Sequence, residues 1–220
     1  LSPFSCSLNY RDKTPALLFD LQLEQLTYSG IELEGMKLNA EGDEQQFALN
    51  GDWRNITIGE DIAIGQTSVE SKRIKGGVNT TLKVFAKKDI RHQLSFNWQQ
   101  TIRGQEISLA PRQVINFLEW RLPEENAIIV KDSTVRVEDW ELSRNDRAIR
   151  IEDTEQNGLS IGFDDVNLAR FSSLINSEEV LLGGIMNGHL YLDEIFTALG
   201  IRADLEIAQL AYYEQAMGDF

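Results

Sequence analysis

The strongest sign of catalytic chemistry in this chain is residues 158–162, which read GLSIG and match the G-x-S-x-G pattern of serine hydrolases. Asp164, Asp165 and His189 follow in the order that a Ser-Asp-His triad of that class uses. That chemistry requires the serine on a sharp turn between a buried strand and a helix. Apolar and polar residues alternate straight through Ser160 instead, so we predict a strand here and no nucleophile.

Other reactive side chains do not form recognisable groups. His92 and His189 are the two histidines, and they lie far apart in sequence with no third ligand nearby. Cys6 is the one cysteine, so no internal disulfide can form. No carboxylate pair stands out by its spacing, and no glycine-rich phosphate loop follows a strand. We therefore expect no enzyme, no metal site and no cofactor.

The charge balance excludes some classes of partner. The 220 residues include 21 Lys+Arg and 35 Asp+Glu, which gives a net charge of −14. Phosphate binding needs a basic surface, so we expect no nucleic-acid partner and no simple adsorption to anionic headgroups. No apolar run reaches the roughly 18 residues of a membrane helix. The chain begins without methionine, and we expect it to be an internal fragment of a longer protein.

The elements that position the side chains are short strands with one apolar and one polar face. Alternation is clear at residues 17–24, 36–41, 94–99, 190–192 and 205–207, and turn residues such as Ser29-Gly30 and Asn157-Gly158 separate such runs. The pattern predicts an all-β fold: a long antiparallel curved sheet, shaped as a groove or as a sandwich, with two short helices.

Two segments break the alternation and divide the chain. Pro111 followed by Ile115, Leu118 and Leu122 predicts a helix over residues 111–122. The spacing of Phe171, Leu174 and Ile175 predicts a second helix near residues 169–176. Residues 1–110 then form a first meander and 123–220 a second, although one continuous domain is equally compatible with the pattern.

The apolar face itself has two interpretations. If two sheets close on each other, the face is an ordinary sandwich core. If a single curved sheet leaves it partly open, it is a groove suited to acyl chains. A closed sandwich would fit an adhesive or carbohydrate-binding module, in which Trp53, Trp120 and Trp140 stack on sugar rings.

Three segments carry a family resemblance. Residues 165–171 lead through a short helix to 182–193 (LGGIMNGHLYLD), and 201–213 (IRADLEIAQLAYY) follow. This arrangement resembles the AsmA-like/TamB (DUF490-type) family of Gram-negative envelope proteins, and residues 26–40 resemble its hairpins more loosely. Asp193 stands where the family usually has glycine, and residues 198–200 replace its usual proline.

The resemblance implies a periplasmic β-rich module of a longer protein whose membrane helix, outside this chain, tethers it to the inner membrane. Such modules conduct phospholipid along an apolar groove, or assist outer-membrane protein assembly and secretion with a BamA-like barrel. The expected partners are phospholipid acyl chains, such a barrel and the rest of the parent chain. The residues that we expect to line the groove are Leu17, Phe19, Leu21, Leu38, Phe96, Trp98, Val137, Leu190, Leu192, Leu205 and Ile207.

Overall fold

A computed structural model describes residues 4–11, 16–43, 46–59, 62–155, 157–176, 180–213 and 215–220. Within these ranges the first ten strands are β1 (Phe4–Arg11), β2 (Ala16–Tyr28), β3 (Ile31–Gly42), β4 (Phe47–Trp53), β5 (Asn55–Ile58), β6 (Ile62–Ile64), β7 (Thr67–Ile74), β8 (Gly77–Ala86), β9 (Asp89–Thr101) and β10 (Gly104–Leu109). The remaining elements are β11 (Arg112–Ile115), β12 (Leu118–Arg121), β13 (Ala127–Lys131), β14 (Thr134–Glu138), β15 (Glu141–Arg144), β16 (Arg147–Asp153), β17 (Leu159–Asn167), helix α1 (Leu168–Ser172), β18 (Leu182–Asp193), β19 (Gly200–Tyr212) and β20 (Gln215–Gly218).

All of these strands belong to one antiparallel, curved and open sheet, as the alternation predicts. Most neighbours in sequence are neighbours in the sheet, since tight turns join them. The turn between β2 and β3, for example, uses Ser29 at φ 47° and Gly30 at φ 80°, the left-handed backbone that two-residue hairpins require. The described strands form a single open sheet, which corresponds to the groove form of the fold prediction rather than to two separate packed sheets.

The sheet forks at β9. The second half of this strand pairs with β10, which continues to β13 and β14. Its first half contacts β11, and this branch continues through β12, β15 and β16 to β17–β20. On the other side of β9 the strands follow in the order β8, β7, β4, β3, β2 and β1, and β5 and β6 extend from β3.

Two buried amide side chains bridge the gaps that the fork leaves. Gln113, 0% exposed, accepts from Ser95 N at 2.8 Å and donates through Nε2 to Ser95 O at 3.0 Å and Ala110 O at 2.7 Å. Asn126 accepts from Leu109 N at 2.8 Å and donates to Leu109 O at 2.8 Å and Pro123 O at 2.7 Å. Each amide side chain thus bonds the backbone N–H and C=O of one strand residue, Ser95 for Gln113 and Leu109 for Asn126, as a neighbouring strand would do.

The helix predicted over residues 111–122 is wrong, because this segment is the hairpin β11–β12. Asn116 and Phe117 have φ angles of 48° and 64° and form a two-residue turn that places Ile115 directly opposite Leu118. Residues i and i+3 across such a turn share one face, just as they do on a helix. The spacing of Ile115 and Leu118 is therefore the same in both structures, and it misled the prediction.

The second predicted helix is confirmed as α1, which begins at Leu168 rather than 169, and turns follow it as far as residue 175. The side chain of Asn167 caps it by accepting from Arg170 N at 3.3 Å. The division into two meanders stays a prediction. Strand β9 bonds to β10 of the same predicted meander and to β11, which lies within residues 111–122.

Candidate functional site

The strand register shows that one face of the sheet is apolar across many strands. Residues directly opposite each other in an antiparallel pair point to the same face. One row of such partners crosses seven strands, from β1 to β9: Cys6, Leu21, Leu38, Gly51, Val69, Leu82 and Leu94. We call the face that carries this row the apolar face.

Most of the expected groove residues in the first half of the chain lie on this apolar face. Phe19 is two residues from Leu21 in β2, and Phe96 and Trp98 are two and four residues from Leu94 in β9. From Trp98 the partners run through Ile107 and Ile128 to Val137. The backbone of Leu17 belongs to β2, but its side chain lies outside the described part of the structure.

The expected residues in β18 and β19 also share one face. Leu205 lies opposite Gly188 and Ile207 opposite Met186, in the same alternation as Leu190 and Leu192. From Gly188 the partners run through Phe163 and Ile149 to Leu142 of β15, a member of the buried core.

The apolar face is covered in its middle and partly exposed on its flanks. Ile115, Trp120, Leu122 and Leu142 form the core cluster, and each is at most 6% exposed. By contrast, Trp98 is 39% exposed, and the other expected groove residues with described side chains are half-buried. The flanks therefore offer apolar surface that the described part of the chain leaves incompletely covered.

Residues 168–176, which we call the α1 segment, provide the cover. Phe171 meets the Trp120 ring edge-on, with ring centroids 5.4 Å apart and planes at 71°. Leu174 packs on the same cluster. Further along, Asn176 forms an isolated bridge to Ala63 in β6, on the other side of the sheet's central fork. The segment thus spans the apolar face from β17 to β6.

A buried serine–histidine contact lies under this segment, but it is not arranged for nucleophilic catalysis. His92 is 1% exposed; its Nδ1 accepts from Asn116 N at 3.1 Å, and its Nε2 lies 3.4 Å from Ser173 Oγ. Since Nδ1 accepts, the neutral ring carries its proton on Nε2 and cannot take one from the serine. Burial, with a smaller effect from the Arg91 charge, lowers the pKa of His92 to about 4.

Ser160 lies inside β17 opposite Glu152 and Tyr191, as the alternation predicts. Asp164, the first candidate acid, forms an ion pair with Arg150. Gly162 and His189 are strand partners, with His189 on the exposed side of the sheet. The sharp strand-to-helix turn of a hydrolase does not occur at Ser160. Among the described residues no group of three or more His, Cys, Asp or Glu side chains could hold a metal ion.

The opposite face carries charge. Arg54 passes over Gly35, where a Cβ would meet its Nε at 2.2 Å, and pairs with Glu24 at 3.5 Å. Arg103 bonds Glu106 at 2.9 Å and Glu138 at 2.7 Å, and these bonds raise the pKa of Arg103. Cavities of about 600 and 390 Å³ are lined mainly by polar side chains. Phe19 borders the smaller cavity, and the other expected groove residues line neither of the two.

The tryptophans do not form an exposed platform for sugars. Trp120 is 1% exposed, and Trp53 and Trp140 are half-buried. The indole Nε1 atoms of Trp53 and Trp120 are buried with no hydrogen-bond partner among the described residues. Trp98, which is on the apolar face, is the more exposed ring.

No protein-family model, no curated protein and no solved structure matches this chain. The resemblance of residues 165–213 to the AsmA-like/TamB family therefore stays a prediction. No helix within the described ranges combines the length and apolar character needed to cross a membrane.

Proposed function

We propose that this chain is a non-catalytic envelope-biogenesis module that holds and conducts phospholipid acyl chains along its apolar face. The observation that carries the proposal is the register. Apolar residues of neighbouring strands, such as Leu21 and Leu38 or Leu190 and Leu205, share one face, and the row from Cys6 to Leu94 extends across seven strands. The flanks of that face keep part of this surface exposed.

The energetics suit a surface along which chains move. Burying one methylene is worth about 0.8 kcal/mol, so a lipid with two acyl chains gains substantially from a partly exposed apolar face. Neighbouring rows have similar aliphatic and aromatic residues, and a chain that moves from one row to the next exchanges equivalent contacts. The polar headgroup stays in water beyond the apolar rows.

The cellular setting of the proposal rests on the family resemblance alone. It is a periplasmic body tethered to the inner membrane by a segment outside this chain, with a BamA-like outer-membrane barrel as a second partner. Assistance to outer-membrane protein assembly and secretion belongs to the same proposal. The net charge of −14 favours acyl contacts over headgroup adsorption as the basis of lipid binding.

Paired aspartate substitutions on one strand test the proposal. Leu21→Asp puts a carboxylate on the apolar face, whereas Gln22→Asp puts the same group on the polar face, where Gln22 is exposed. The probe is phosphatidylethanolamine with a pyrene-labelled acyl chain, transferred from vesicles to the protein. We expect Leu21→Asp to weaken loading by more than about tenfold, because an unpaired carboxylate among acyl chains is costly, and Gln22→Asp to match the unsubstituted protein.

Circular dichroism and thermal unfolding must first show that both variants fold. Equal loading of a folded Leu21→Asp variant and the Gln22→Asp control would contradict an acyl-binding role for the apolar face at β2. Absence of loading in the unsubstituted protein would contradict the proposed function as a whole.

A further inference from the structure

The α1 segment interrupts the apolar face between its two partly exposed flanks. On one side lie the half-buried Leu21 and Leu38, and on the other lie Leu190 and Leu205. Between them, Phe171 and Leu174 occupy the surface of the core cluster. An acyl chain that moves from the flank formed by β2–β9 to the flank formed by β17–β19 crosses β11 and β12. There it must take the place of these two side chains.

The docking of this segment leaves polar groups unsatisfied. Trp120 Nε1, on the ring that Phe171 meets edge-on, and Arg170 Nε, within the segment, are buried with no hydrogen-bond partner among the described residues. Leaving a buried donor unpaired costs free energy that hydration would recover. The docked position is therefore less favourable than its apolar contacts alone suggest.

Local structure adds little to hold the segment in place. The helix has five residues, too few to be stable apart from its contacts. Its polar attachments to the rest of the chain include Ser172 Oγ to Leu182 O at 3.3 Å, Ser173 Oγ to His92 Nε2 at 3.4 Å and an isolated bridge from Asn176 to Ala63. Ile175 points outward and is 46% exposed.

We propose that the α1 segment is a displaceable gate: it occupies the middle of the apolar face in the closed state, and acyl chains replace Phe171 and Leu174 there in the open state. This inference rests on the proposed function and adds a regulated step to it. In the open state Trp120 Nε1 and Arg170 Nε can reach water or lipid oxygens.

A reversible disulfide tests the gate. Bridge partners lie within the Cα separation that a disulfide tolerates, so Ala63→Cys with Asn176→Cys, in a Cys6→Ser background, can lock the segment when oxidised. The probe is phosphatidylethanolamine with a photoreactive diazirine on one acyl chain, supplied in vesicles. Mass spectrometry then maps the labelled peptides in the oxidised and reduced protein.

We expect the reduced protein to be labelled both on β2–β3 and on β11–β12. Oxidation should lower the β11–β12 labelling by about tenfold or more and leave the β2–β3 labelling unchanged. Two outcomes would overturn the gate and leave the proposed function standing. In the first, β11–β12 is labelled equally in the oxidised and reduced protein. In the second, β11–β12 is labelled in neither state although β2–β3 is labelled. Absence of labelling on every strand of the apolar face would overturn both.

A second variant keeps the test decisive if the double cysteine variant does not fold. Phe171→Ala removes the main contact with Trp120, and we expect it to raise β11–β12 labelling several-fold. Ile175→Ala, in the same segment but largely exposed, is the matched control and should leave the labelling unchanged. No increase in folded Phe171→Ala, or an equal increase in both variants, would also overturn the gate.

Discussion

Replacing Gln113 with methionine tests the structure most severely, because this side chain joins the two branches of the sheet. Gln113→Met keeps nearly the same volume but removes three hydrogen bonds, to Ser95 N, Ser95 O and Ala110 O. Ser95 O still accepts from Ala110 N at 2.8 Å, whereas the Ser95 N–H and Ala110 O lose the bonds that the glutamine supplied.

The expected cost follows from those three bonds. Each contributes about 0.5–1.5 kcal/mol net, and a buried donor left unpaired adds about 1–3 kcal/mol. We expect Gln113→Met to lower the free energy of unfolding by about 3–5 kcal/mol, a large part of the stability of a typical domain. Urea denaturation followed by circular dichroism measures the difference, with Gln105→Met, at an exposed position of β10, as the control. A loss below about 1 kcal/mol would refute the claim that Gln113 joins the branches.

Two further predictions concern the same region. First, His92 is neutral in the folded protein because burial lowers its pKa to about 4, while the unfolded chain binds a proton near 6.5. The unfolded state therefore binds more protons between these values, so stability is full above pH 6.5 and falls as the pH drops towards 4, by about 2 kcal/mol at pH 5. The free energy of unfolding of His92→Asn, measured by denaturation at pH 7 and pH 5, should decrease between the two pH values by about 2 kcal/mol less than that of the unsubstituted protein. Equal decreases in the two proteins would contradict a buried neutral histidine. Second, Phe117→Gly should raise the free energy of unfolding by about 0.5–1 kcal/mol, because Phe117 has φ 64° and is 53% exposed. Destabilisation in thermal unfolding would contradict the left-handed backbone at Phe117.

Much of the fold follows from the sequence, because alternation reports directly on strands with one apolar face. Strands through Leu21, Leu38 and Leu190 and the helix at Phe171 were all predictable in this way. The hairpin at Ile115 was not, since a two-residue turn and a helix both place residues i and i+3 together. Asn116 followed by Phe117 also lacks the glycine that usually marks such a turn.

The expected groove residues could be recognised one strand at a time, but their alignment depends on register, which local spacing does not determine. The covering of the middle of the face could not be predicted either. It depends on the contact of Phe171 with Trp120, about fifty positions apart in the chain, and on the bridge from Asn176 to Ala63. Gln113 and Asn126 have no distinguishing local pattern, because a polar residue in a strand or in the connection before one can equally face water.

Mass spectrometry of an organic extract from the purified protein, beside an extract from the Leu21→Asp variant and an unrelated β-protein, tests the central claim most directly. The proposed acyl-binding face predicts phospholipid in near-stoichiometric amount with the unsubstituted protein and a clear reduction with Leu21→Asp. A lipid-free extract from protein purified without detergent, together with no uptake from phosphatidylethanolamine vesicles, would contradict it.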